Sequence, residues 1–169
     1  FTIEGDRMKY IVGIDLGGTN IKAGLVKADT GEVVTSTSIK TESEKGIEDT
    51  FSRIANLVET ILKENGIEKS NVQGVGMGIT GPVMHQAVVG FFANFPWEKD
   101  VDAKALLEGK IGIPVKVDND VNVIAAGEAW LGAAKGYKNV VCLALGTGVG
   151  GGIIINGNLV DGFRGDRKS

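Results

Sequence analysis

One cysteine and one histidine in 169 residues leave little room for metal or redox chemistry built from this chain alone. Cys142 has no partner thiol for a disulfide, and a zinc site needs three or four ligands that Cys142 and His85 cannot supply between them. Within "NVVCLAL", Cys142 reads as a small core residue, which fits a reducing cytoplasm. No Lys/Arg cluster or basic stripe is present and the net charge is −3, which argues against a nucleic-acid surface. No apolar run approaches the roughly 20 residues that span a bilayer, and the N-terminus lacks the apolar segment of a secretory signal. A cytoplasmic location away from membranes is the expectation.

What is present is ordinary for a globular domain: 43% apolar and 23% charged residues. The first residues, "FTIEGDR", share no pattern with the rest of the chain, so residues 1–7 read as a leader before Met8. "YIVGID", "NIKAGLVKA" and "EVVTSTSIK" read as three antiparallel strands joined by turns. Ile47, Phe51, Ile54, Val58, Ile61 and Leu62 recur at three- and four-residue spacing, predicting an amphipathic helix over 47–64 that covers one face of that sheet. "VQGVGMGIT" returns as a strand whose Gly74, Gly76 and Gly78 leave one face nearly bare. Next come a short helix around 102–110, a strand "PVKV" and a helix from near Asn119 to about Gly132. Ala125, Ala126, Gly127 and Ala129 should make that last helix thin enough to lie close on a sheet.

Two stretches echo each other. "YIVGIDLGGTNIKAGLVKADTGEVV" and "VVCLALGTGVGGGIIINGNLVDG" both run strand, Gly/Thr turn, strand, polar turn, strand start. Gly146, Gly148 and Gly151 satisfy a dinucleotide fingerprint, but a pyrophosphate needs a helix directly after the glycines, and "IIIN" is β-branched. That reading fails even with Asp166 at a suitable distance downstream, and no Gly-Lys-Ser/Thr is present for a Walker-type loop. What remains is a glycine turn whose backbone N–H groups can face an anion, with Thr147 adding a hydroxyl. "DLGGTN" has the same make-up: Gly17, Gly18 and Thr19 for phosphate, Asp15 for Mg²⁺. A tight hairpin explains either turn alone; two such turns favour nucleotide phosphates.

"VDNDVN", residues 117–122, stands between strand and helix, where one Asp or Asn is expected as an N-cap. Capping uses one of Asp118, Asn119 and Asp120, which frees a carboxylate at the mouth of a strand, where α/β sheets bind ligands. In phosphoryl transfer to an alcohol such a carboxylate accepts the hydroxyl proton. Asn94, among Phe91, Phe92, Phe95 and Trp97, is a turn residue or a sugar ligand beside aromatic walls.

"GIDLGGTNIKAGLV", "GITGPV", "NFPW", "VDNDVNVIAAGEAWLGA" and "LGTGVGGGIIINGNLVDG" resemble, in order and spacing, the ROK family of sugar kinases and repressors, and within it the bacterial ATP-dependent glucokinases. The resemblance runs from Lys9 to about Gly165. It implies an α/β, actin-like ATPase (ribonuclease H-like) fold with the N-terminal lobe complete over 8–117, the second lobe only begun over 118–165, and a non-family tail over 166–169. It implies transfer of the ATP γ-phosphate to the 6-hydroxyl of glucose or a related hexose. Asp120 would be the catalytic base, and Asn94, Asn119 and Gly81 would lie at the sugar. Gly17, Gly18, Thr19, Gly146, Thr147 and Gly148 would form the two phosphate turns, with Asp15 near Mg²⁺. Val121 stands where many relatives have Ala, and "NFPWEKD" lacks a glycine often found before the Trp.

Family members continue after "GFRG" with a Gly-Glu-Ile-Gly-His segment, a Cys-rich zinc cluster and an adenosine site, whereas this chain reads "DRKS". The family zinc site is therefore expected to be absent from this chain. Little or no kinase activity is expected of these 169 residues alone, and strands around 140–160 should present unpaired edges that invite self-association. Two other classes share parts of the pattern. A sugar-sensing repressor of the same family would need a winged-helix domain upstream, and only seven residues precede Met8. An actin-like ATPase shares the phosphate turns but not "VDNDVN". Kinases for other hexoses or N-acetylhexosamines stay open.

Overall fold

The computed structural model describes residues 9–145 and 148–160. The chain opens with β1 (Tyr10–Leu16), β2 (Asn20–Lys27) and β3 (Val33–Lys40), succeeded by α1 (Ile47–Glu64) and β4 (Val72–Ile79). Three two-residue strands, β5 (Val83–Met84), β6 (Val88–Val89) and β7 (Val101–Asp102), lead to α2 (Ala103–Ile111), β8 (Val115–Asn119) and α3 (Asp120–Leu131). It continues through β9 (Val140–Leu145), β10 (Val149–Ile155) and β11 (Asn158–Leu159). The main sheet has the order β3-β2-β1-β4-β8, in which β1, β2 and β3 are antiparallel and β4 and β8 run parallel to β1. A second sheet, β11-β10-β9, is antiparallel throughout. The echo in the sequence is thus an echo in topology.

Alternation within the strands decides the layers. Val12, Ile14 and Leu16 of β1, Ile21, Ala23 and Leu25 of β2, and Val115 and Val117 of β8 all point to one buried face. Phe51, Ile54, Val58, Ile61 and Leu62 of α1 close that face, each at most 3% exposed. At roughly 1.5–3 kcal/mol per side chain removed from water, this stripe is what holds α1 to the sheet. Helix α2 joins the same layer through Ala103, Leu107 and Ile111; Asp102 caps it by accepting the Ala105 N–H at 2.8 Å, and Gly112 ends it at φ 68°.

Helix α3 lies on the opposite side, between the two sheets, against β4 and β8 and against β9 and β10. Its closeness has only in part the origin that its composition predicts. Ala126 and Gly127 are exposed; the contact is made by Val121 and Ala125 against glycines of β10. A Cβ on Gly150 would lie 2.5 Å from Val121 Cγ2, and one on Gly152 would lie 2.7 Å from Ala125 Cβ and 3.1 Å from the Val121 carbonyl oxygen. Of the small helix residues Ala125 alone makes this contact, and the glycines of β10 supply the rest of the closeness. The bare face of β4 is likewise only partly used, since Gly76 faces open space while Gly78 sits beneath the start of α3.

Candidate functional site

The parallel strands end at one rim, and the register across them sets out a row of residues. Lys22 is opposite Asp15, Asp15 opposite Gly78, and Gly78 opposite Asp118. Because Ile14 and Leu16 face the α1 layer, this row lies on the other face, below α3. A Cβ on Gly78 would stand 3.6 Å from the Asp120 Cα, so the first residue of α3 rests over the sheet between Asp15 and Asp118. That is the carboxyl end of parallel strands, where such folds place their ligands.

Each polar residue of "VDNDVN" has a distinct task. Asn119, 6% exposed, is the N-cap: its Oδ1 accepts the Val121 N–H at 3.0 Å, while its Nδ2 donates to the Gly81 carbonyl at 2.9 Å. Asp118 Oδ1 accepts from Asn119 N at 2.7 Å and from Asn122 Nδ2 at 2.9 Å. Asp120 accepts the Val121 N–H on Oδ1 at 3.0 Å and the Thr80 hydroxyl on Oδ2 at 3.1 Å. Thr80 and Gly81 leave β4 side by side, so one loop positions both the carboxylate and the cap. Gly81 has φ 145° and a Cβ there would overlap the Phe91 carbonyl, which ties that loop to the aromatic segment.

Asp15 carries the electrostatic signature of the rim. Although the residue keeps solvent contact, its carboxyl is lifted above the ordinary 3.8, foremost by desolvation; Lys22 opposes the rise and the charge of Asp120 adds to it. The two carboxyl groups therefore share one field, and a cation between them would relieve it. Among the described residues no three His, Cys, Asp or Glu side chains converge on a metal. Mg²⁺ asks for less, one or two carboxylates with phosphate oxygens and waters completing the shell. Asp15 fits that demand.

The first glycine turn meets the aromatic segment directly, since a Cβ on Gly18 would stand 3.4 Å from the Asn94 Cβ. Gly17 donates its own N–H to the Asn20 carbonyl at 3.1 Å, so of the two glycines it is Gly18 whose amide is left to face a ligand. Asn94 is exposed beside it. The aromatic residues do not form the sugar-facing walls that their sequence suggests: Phe92 and Phe95 are buried, and with Trp97 and Phe51 they make an edge-to-face and stacked cluster in the core. Phe91, half exposed, presents its ring to solvent, and Trp97 is partly buried. Of the second turn, Gly148 lies in open space, and Gly146 and Thr147 lie outside the described residues, as do Met8 and Asp166. The groove between the end of α3 and β9, lined by Glu128, Tyr137, Asn139 and Cys142 among others, shares no residue with the rim.

The profile of the ROK family matches residues 11–167. The chain belongs to the ROK family. It is 38% identical over 158 residues to a glucokinase of Halalkalibacterium halodurans, covering 93% of this chain and 47% of that protein. It is 35% identical over 151 residues to an N-acetyl-D-glucosamine kinase of Yersinia enterocolitica, covering 89% of this chain and 48% of the relative. Its fold matches a ROK glucokinase of Streptomyces griseus solved with glucose and AMPPNP, at a TM-score of 0.80 and 35% identity, covering 92% of this chain and 47% of that one. The chain spans about half the length of the curated relatives it matches. ROK membership is thereby shown, with the mixed α/β architecture of an actin-like ATPase matched over about half the length of those relatives.

Thr80 escapes a reading of the sequence. Thr80 sits in "GITGPV" as an ordinary loop residue, and only the parallel register of β4 and β8, with Ile79 opposite Asn119, brings it to Asp120.

Proposed function

We propose that this chain carries the sugar-binding half of the active site of an ATP-dependent hexose kinase, with glucose as the substrate, together with its two phosphate turns. The observation that carries this reading is the placement of Asp120 at the mouth of the parallel strands, held by Thr80 on one oxygen and by a helix amide on the other, with Asp15 in its field. A carboxylate fixed in this way accepts the proton of a sugar hydroxyl as that oxygen attacks the γ-phosphate. Catalysis here asks the protein for placement. Asn94 and the remaining amide hydrogen of Asn119 are the groups we assign to the sugar, with Gly81 shaping the wall beside them. Gly18 and Thr19 would face phosphate oxygens, Asp15 would hold Mg²⁺, and Gly146, Thr147 and Gly148 would form the second turn. When bound, Mg²⁺ neutralises phosphate charge.

The test uses the longest reading frame that contains this chain. Asp120→Asn should lower kcat for glucose phosphorylation by about 10²–10⁴-fold while leaving sugar affinity largely intact. Unchanged turnover removes Asp120 from the reaction. A panel of glucose, fructose, N-acetylglucosamine and N-acetylmannosamine ranks the hexose, a choice that the kinship with an N-acetyl-D-glucosamine kinase makes necessary. Sugar binding without turnover would favour a sensor, and ATP hydrolysis indifferent to sugar would favour an actin-like ATPase.

A further inference from the structure

We infer that Thr41, remote in sequence from every motif, is the positioning residue of the first phosphate turn; this rests on the phosphate reading of that turn. Thr41 is 0% exposed and stands just past the end of β3. Its hydroxyl donates to the Gly17 carbonyl at 2.6 Å, and its own N–H donates to the Thr19 carbonyl at 3.0 Å. The two carbonyls flanking Gly18 are thus both drawn back toward one residue.

The consequence lies in the peptide plane. In a trans peptide the C=O of one residue and the N–H of the next point in opposite directions, and the described residues contain no cis bond. Holding the Gly17 carbonyl toward Thr41 therefore aims the Gly18 N–H away from it, on the side left for an anion. A glycine turn by itself is free to flip that plane; the buried hydroxyl removes the freedom. Thr41 is itself braced. The Arg53 guanidinium donates to the carbonyls of Lys40 and Thr41 and pairs with Asp49 at 2.8 Å, and the Trp97 indole N–H donates to the Ser43 carbonyl at 3.0 Å. The chain is thus fixed on either side of Thr41.

The test is Thr41→Val, which keeps the shape and deletes the donor, against Thr41→Ser, which keeps the donor. Titration of the protein from the longest reading frame that contains this chain with Mg²⁺ and AMPPNP is monitored through the Gly18 amide by NMR, at a temperature where all forms are folded. The Gly18 response should weaken roughly tenfold in apparent affinity in Thr41→Val and return in Thr41→Ser. A purely structural role would lower the Tm and leave that affinity unchanged. Should Thr41→Val fail to fold, Thr41→Cys, with a weak donor of similar size, should bind more weakly than the Ser variant and the unsubstituted chain while still giving a response. A Gly18 response that persists undiminished in the Val or Cys variant overturns the role of Thr41. No Gly18 response in the unsubstituted chain overturns the phosphate reading and the inference with it.

Discussion

The two glycine hairpins of this chain have the same local grammar and opposite surroundings. In the first, β1 and β2 lie inside a five-stranded sheet, with Ile14, Leu16, Ile21 and Leu25 all buried against α1 and the turn held from behind by Thr41. In the second, β9 and β10 belong to a three-stranded sheet covered on one side by α3, while Val141, Leu143, Leu145 and Val149 stand 64–81% exposed on the other. An apolar sheet face left exposed among the described residues is the kind of surface that associates with something. A Gly/Thr turn between two strands is therefore only the start of a phosphate site; what finishes it is the packing behind the turn.

The widest contrast comes from a charge on each apolar face. Ile14→Lys puts an ammonium into the α1 layer, where it should cost about 3 kcal/mol or more and prevent cooperative folding by circular dichroism. Leu143→Lys should leave the unfolding midpoint nearly unchanged and reduce concentration-dependent self-association seen by light scattering. Equal loss of folding in both would show that the two faces are equally packed.

A smaller contrast lies in the turns. A Cβ on Gly17 would stand 2.8 Å from the Asn20 carbonyl oxygen, whereas one on Gly148 meets nothing within 4 Å. Gly17→Ala should destabilise by about 1–3 kcal/mol and Gly148→Ala by about 0.5 kcal/mol or less. Thermal unfolding of the pair measures the difference, and similar costs would erase the distinction between the turns.

The smallest effect is a pH dependence confined to the first hairpin. The folded state raises the Asp15 carboxyl above 3.8, so above that pH the folded chain holds a proton that the unfolded chain has released. Stability contributed by this group therefore falls as pH rises from 3.8 through the raised value. Asp15→Asn should raise the Tm at neutral pH, with the gain vanishing below about pH 3.8. A gain independent of pH would assign the effect to packing. On the proposed reading the same substitution should also weaken nucleotide use.

Sequence patterns reveal what is local here. The stripe of Ile47, Phe51, Ile54, Val58 and Ile61 fixes α1 as Ile47–Glu64, the span its period predicts, and the alternation in "YIVGID" and "NIKAGLV" yields β1 and β2. "VDNDVN" is legible because three polar residues exceed what one cap requires; the structure spends Asn119 on the cap and leaves Asp120 at the rim. What depends on tertiary register is hidden. Thr41 and Thr80 act across 24 and 40 residues of chain; nothing beside Thr41 marks it, and within "GITGPV" it is Gly81, not Thr80, that draws notice. The aromatic run "FFANFPW" misleads for a related reason: sequence shows that the rings are adjacent to Asn94 but not that Phe92 and Phe95 turn inward.

The chain holds two tryptophans in contrasting places. Trp97 is stacked on Phe95 at 4.3 Å with its indole bonded to Ser43, whereas Trp130 stands 43% exposed on α3. One fluorophore thus sits in the loop that meets the first turn and another on the helix that begins at Asp120. Water-soluble quenchers should reach Trp130 first, so the residual emission belongs to Trp97 and reports on the loop beside the first turn without any label.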